Sequence, residues 1–235
     1  MSHLHIPDGI LSLWLWLLGY LIVGIYFLIV YKHLKKTANY KKIAMTGVLG
    51  ALMLLAMSIP VPFVIPYHLN LSALLGILAG PFYAGLAIFS VNFIIALVGH
   101  GGITIVGLNT IVITIEAIIA FLLFNLIRKY FRKIFPAAFI ATFIALIVST
   151  FLTIGIVYTG TKNLDYLAHK CSHQHEQTIP YEHDQVESFN IKRFMFLILM
   201  SGSLGWTLEA LLTAFIATYI SRVKPDLLEN KDFYS

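Results

Sequence analysis

The chain has little charge, a single cysteine and no nucleotide-binding glycine–lysine loop, and each shortage narrows what it can be. Charged residues occupy 11% of its 235 positions, against 59% hydrophobic. Soluble domains carry roughly 25% charged residues, so an integral membrane protein is expected. With Cys171 alone, an internal disulfide and a cysteine-cluster zinc site are excluded. No Walker-type Gly-Lys loop occurs, so any ATP hydrolysis would fall to separate subunits. His175-Glu176 lacks the second histidine of a His-Glu-x-x-His zinc-protease motif. No internal repeat is evident, which leaves the inverted-repeat logic of secondary transporters without support. The start has no Lys or Arg, and the apolar run from Ile10 is too long for a signal-peptide core, so no signal peptide is expected.

What is present is a series of apolar spans with basic ends. The net charge of +5 could suggest nucleic acid, but the basic residues cluster at 32–42, 128–133 and 222–231, each against an apolar run. That is the pattern of cytoplasmic membrane anchors, and no nucleic-acid partner is expected. A spanning helix needs about 20 apolar residues. Residues 10–31 and 43–59 fit, and the prolines that follow at Pro60, Pro62 and Pro66 predict an outside loop or partly inserted strand. Residues 69–98 are too long for one helix; Gly80-Pro81 divides them into helices over 71–79 and 82–98 joined by a tight cytoplasmic turn. The glycine-rich run 99–104 cannot be a comfortable helix and must be buried or line a cavity. Further helices are expected over 109–127, 136–158 and 194–220, with an extracytoplasmic polar segment at 159–190 carrying His169, His173, His175 and His183. The expected fold is a single all-α domain, 1–235, of about seven transmembrane helices, with the N-terminus outside and the C-terminus cytoplasmic. All but Lys162, Lys170, Lys192 and Arg193 of the 16 basic residues then lie inside.

This topology puts His3, His5, His68 and His100, from three separated segments, on the outer face. Imidazole is a good ligand for nickel, cobalt, zinc and copper. A histidine near a free amino terminus also chelates through the amine, a deprotonated amide and its ring, a planar nitrogen set that favours Ni(II) or Cu(II). Asp8, Asn70, Thr104 and Asn109 are available to fix ring tautomers. The plainer reading of each histidine is an interfacial polar residue satisfied by backbone, and of Asp8 or Gly9 a helix cap. The His169–His183 cluster reads as a solvated loop, or more sharply as a weak ion collector. Cys171 within it reads as incidental. Glu116 and Glu209 lie inside predicted helices, where carboxylates are costly; Glu116 could order the binding loops and Glu209 could be a bundle-facing hydrogen-bond partner. Gly47, Gly50 and Ala51 suit close helix packing, within the chain or against a partner.

His5-Ile6-Pro7-Asp8-Gly9, the Pro60-Val61-Pro62…His68 loop and His100-Gly101-Gly102-Ile103-Thr104…Gly107-Leu108-Asn109-Thr110 together resemble the CbiM/NikM family, as does the Gly76–Gly85 stretch with its Gly80-Pro81 pair. These are the nickel- or cobalt-specific S components of energy-coupling factor (ECF) transporters of the prokaryotic plasma membrane. The resemblance covers most of the chain and is weakest over the histidine-rich segment and last helix. It implies a non-enzymatic subunit that captures Ni2+ or Co2+, with no resident cofactor and with a link to cobalamin biosynthesis. It implies as partners a transmembrane coupling protein (T component), two ATPase subunits and a small accessory membrane subunit. By position it makes His5 and His68 metal ligands, inserts the N-terminal segment into a central pocket, and packs the loop of His100, Thr104 and Asn109 over the site.

One departure falls at the critical point. Leu4 stands where the family has its initiator Met, preceded by Met1-Ser2-His3, so His5 does not follow a free amine. Three resolutions stay open: translation begins at Leu4; His3 takes over the chelate; or His3 and His5 coordinate by side chains only. A proton-coupled secondary metal transporter using Glu116 or Glu209 and an intramembrane hydrolase using Ser203 are the competing classes. No histidine at matching depth could serve Ser203 as base. N-terminal mass spectrometry tests the terminus: an intact Met1, with metal binding unaltered by His3→Ala, excludes the first two resolutions.

Overall fold

The constraint that shapes the chain is that backbone amides in a lipid core must be bonded within the protein, which limits lipid-facing segments to helix. The structure, a computed structural model, describes residues 13–61, 67–99, 101–131, 133–160 and 191–227. Among them are seven α-helices: α1 Leu13–Thr37, α2 Tyr40–Ser58, α3 Ser72–Ala79, α4 Pro81–Leu97, α5 Val106–Phe131, α6 Ile134–Gly160 and α7 Ile191–Val223. Five apolar stretches are long enough to cross a membrane: Leu13–Thr37, Tyr40–Ser58, Ile103–Phe131, Ile134–Ile156 and Gly202–Val223. The chain is a multi-pass, all-α membrane protein.

The helix ends follow local chemistry. Asn39 starts α2, its Oδ1 accepting from the Lys41 amide at 3.0 Å. Ile59 turns extended at φ −107°, as a residue before proline must, and Pro60–Val61 (β1) then pairs antiparallel with Tyr67–His68 (β2), Pro60 opposite His68. Gly80 takes φ +82° to end α3, and Pro81, whose missing N–H is no loss at a helix start, opens α4. This is the expected break. The Tyr26 hydroxyl donates to the Pro81 carbonyl at 2.8 Å, and the Asn39 amide donates to the Tyr83 hydroxyl at 2.9 Å. The α3–α4 turn therefore sits at the lysine-rich end of α1 and α2, as the sequence predicts.

Two boundaries differ from expectation. α5 begins at Val106 after a 3₁₀ turn at Ile103–Ile105, earlier than Asn109. α7 begins at Ile191 and takes in Lys192 and Arg193; its 33 residues extend about 50 Å, well beyond a hydrocarbon core of about 30 Å. The N-terminal insertion and nearly all of the 159–190 segment lie outside the described residues.

α5 is the centre, packing against α6, α3, α4 and α1, while α6 packs on α7. Small residues allow the close approaches. A Cβ on Gly107 would stand 2.8 Å from the Tyr20 backbone nitrogen, and one on Gly76 would run into the Ala117 carbonyl. Alanines 138, 141 and 145 of α6 and 214 and 217 of α7 are all fully buried. Of the small residues on α2, Gly50 packs on Ala87, whereas Gly47 has nothing near it and faces outward with Ala51. Gly76→Ala should therefore destabilise the protein by about 1–3 kcal/mol through overpacking. Gly47→Ala should be neutral or slightly stabilising. Thermal unfolding of the two variants in detergent checks the contrast.

Candidate metal centre

The segment around α3 is where the fold departs from regular helix. α3 has eight residues, about 12 Å of rise, less than half a hydrocarbon core. The chain from β2 to Leu71 is non-helical. Such backbone is tolerated at membrane depth only inside protein, and Asn70, Leu71 and every residue of α3 are buried.

His68 stands at the start of this irregular segment, partly buried. Its Nδ1 lies 2.8 Å from the Met57 carbonyl oxygen. A carbonyl can only accept, so Nδ1 carries the proton and the Nε2 lone pair is the one that can bind a cation. From the sequence, Asn70 is a residue expected to orient an imidazole. Asn70 Oδ1 accepts from the Ser72 amide at 2.8 Å at the start of α3, and the bond to the Met57 carbonyl sets the ring's protonated nitrogen.

Between these points Leu71 takes φ +54°, the left-handed region, which costs a branched side chain about 1–2 kcal/mol. Its amide donates to Glu209 Oε1 at 3.0 Å, and the Asn70 amide donates to Glu209 Oε2 at 3.4 Å. The Ser72 hydroxyl donates to Glu116 Oε1, and Ser149 of α6 donates to Glu116 Oε2. The Asn70 side chain also reaches Glu116. Both carboxylates are fully buried. The expectation that Glu209 faces the bundle as a hydrogen-bond partner holds, and Glu116 orders the start of α3. Ser72 and Ser149 are the residues that sequence reasoning missed.

The other predicted residues divide. Thr104 lies in the 3₁₀ turn and Asn109 in the first turn of α5, both partly buried. Their turn is held by α1, since the Tyr20 hydroxyl donates to the Ile103 carbonyl at 2.5 Å. Gly99 and Gly101, at φ +86° and +102°, shape the approach to it. His3, His5, Asp8 and His100 lie outside the described residues. Among the described residues no three His, Cys, Asp or Glu side chains converge on a point that a cation could occupy, so the structure brings His68 alone of the predicted ligands into view. Ser203, weighed as a nucleophile, donates to the Met200 carbonyl at 2.8 Å on an exposed face.

Residues 5–227 match the family CbiM, described as the cobalt uptake substrate-specific transmembrane region. Among solved structures the fold is similar to a truncated transition metal transporter, with a TM-score of 0.72 at 19% identity over 94% of this chain and 99% of that one. It is equally similar to a transition metal transporter, TM-score 0.72 at 19% identity, over 94% of this chain and 93% of the other. Comparison with curated proteins gave no match. At such identity the structural likeness speaks to fold.

The Tyr20 bond yields a prediction. Tyr20→Phe should remove about 0.5–1.5 kcal/mol and loosen the turn locally. Faster amide hydrogen exchange at Ile105 and Val106, with the rest of α5 unchanged, is the expected result.

Proposed function

The chain belongs to the CbiM family of cobalt-uptake transmembrane regions, a membrane component of metal uptake, and from that premise we propose that it captures Ni2+ or Co2+ as the S component of an ECF-type transporter. One observation carries the reading at the level of atoms: the Met57 carbonyl holds the proton of His68 on Nδ1, so Nε2 is presented as a donor. His68 supplies one nitrogen, and the N-terminal segment, through His5 or His3, supplies the others. Thr104, Asn109, His100 and Asp8 steady the pocket. The N-terminus faces outside and the C-terminus the cytoplasm. The metal is cargo, and ATP is hydrolysed by two partner subunits acting through a T component, with a small accessory membrane subunit completing the assembly.

Imidazole nitrogen binds a metal only when deprotonated, so acid competes with metal and affinity falls on acidification. Equilibrium binding of nickel and cobalt to the purified protein tests the proposal. His68→Ala should weaken binding by more than the roughly 10–100-fold that outer-shell changes produce, and wild-type affinity should fall between pH 7 and pH 5. Unchanged binding in either case, or metal uptake by proteoliposomes lacking any ATPase, overturns it; the latter result would favour the proton-coupled alternative.

A further inference from the structure

Two membrane-buried carboxylates have no place yet in metal capture. Glu116 and Glu209 come from α5 and α7, and both meet the chain within four residues of His68. Together with Asn70 they take up the amides of residues 70, 71 and 72 and the Ser72 hydroxyl. We propose that Glu209, with Glu116 behind it, is a positioning residue for His68, clamping the non-helical segment before α3 so that the imidazole stands at one fixed height and angle.

The coupling runs along the backbone. From His68 to the clamped Asn70 amide there are two residues, which cannot span more than about 7 Å. Any slide or untwisting of 70–72 is therefore handed directly to His68. Local preference does not hold this segment, because Leu71 is in a conformation that a leucine avoids. The hydrogen bond that His68 Nδ1 donates to the Met57 carbonyl fixes which ring nitrogen is protonated and ties the ring to the end of α2. The Glu209 and Glu116 bonds refer the same segment to two long helices 138 and 44 residues away in sequence. Glu116 is braced in turn by Ser149 on α6. A carboxylate is well suited to such clamping, because its two oxygens can accept from two successive amides at a helix start, where amides point outward unpaired.

The inference rests on the reading of His68 as a metal ligand, so the two are tested separately on the full chain in detergent. Nickel affinity, the absorption spectrum of the nickel complex and amide exchange in metal-free protein are measured for Glu209→Leu, Glu209→Gln and His68→Ala. Glu209→Leu removes both acceptors. It should speed exchange at residues 70–72, weaken nickel binding at least tenfold and shift the spectrum of the bound fraction. Glu209→Gln keeps an oxygen for the Leu71 amide and should restore affinity to within about threefold. A purely structural function would reduce the folded fraction and leave the spectrum of what remains unchanged. Should Glu209→Leu not fold, Ser72→Ala, which deletes only the link to Glu116, decides by the same readouts with an expected loss of about threefold or more. Wild-type affinity and spectrum in the deciding variant, with His68→Ala defective, overturns the clamp alone. Normal binding by His68→Ala overturns the ligand reading beneath it.

Discussion

The structure depends on how a stretch of non-helical backbone is made tolerable deep in a membrane protein. An extended or left-handed residue has no intrahelical partner for its amide, and burial without one costs about 1–3 kcal/mol. An isolated carboxylate at the same depth is costlier. In this chain the two liabilities cancel. Glu209 accepts from the amides of Asn70 and Leu71, and Glu116 accepts from the hydroxyls of Ser72 and Ser149. Glu209 and the Asn70 and Leu71 amides thus satisfy one another, while Glu116 is satisfied by hydroxyls. The rest of the bundle is arranged to bring them together.

That arrangement requires helices to approach closely, and glycine provides for it at two places. Gly76 lets α3 lie directly on the α5 backbone at Ala117, next to Glu116, so the Ser72 hydroxyl one turn earlier reaches the carboxylate. Gly107 lets α1 cross α5 at Tyr20, which in turn holds Ile103. Between helices in lipid the attraction comes mainly from packing and hydrogen bonds, because lipid tails are as apolar as leucine. Small residues at crossings therefore do more here than a larger apolar core would. The apolar side chains of α1, such as Leu21, Leu28 and Ile29, face outward instead, as a lipid-exposed surface should.

Much of this architecture was legible in the sequence because its signals are local. The Gly80-Pro81 break announces itself by one residue tolerant of positive φ and one that cannot continue a helix. The proline-punctuated 60–66 run likewise predicts strand or loop. The start of α5 was misplaced because Gly107 looks like a continuation of the glycine-rich loop. It is tolerated as helix since α1 packs where a side chain would be, and no local pattern records that. The site was legible in residue type but not in partnership. His68 and the two glutamates stand out as polar groups in an apolar chain. Met57 does not, since its part is played by a carbonyl that every residue has. Ser149 lies 33 residues from the glutamate it bonds, and nothing short of the folded bundle pairs them. Asn70 reads from the sequence as available to fix a ring tautomer, and the bond its Oδ1 accepts from the Ser72 amide at the start of α3 carries no local signal.

The two sets of bonds on the segment before α3 differ in what they would feel if helices moved. The Met57–His68 bond closes over 11 residues of chain, within one hairpin. It ties the ring to the end of α2 and places a proton on Nδ1. The Glu209 bonds close over 138 and 139 residues and join separate helices. A displacement of α7 relative to α3 would strain them. On the proposed reading, the chemistry of the donor nitrogen and its position are thus under separate control. A metal subunit must bind tightly and later let go. Changing a ligand's protonation to release the metal would require a proton at the site, whereas changing its position requires only that two helices part.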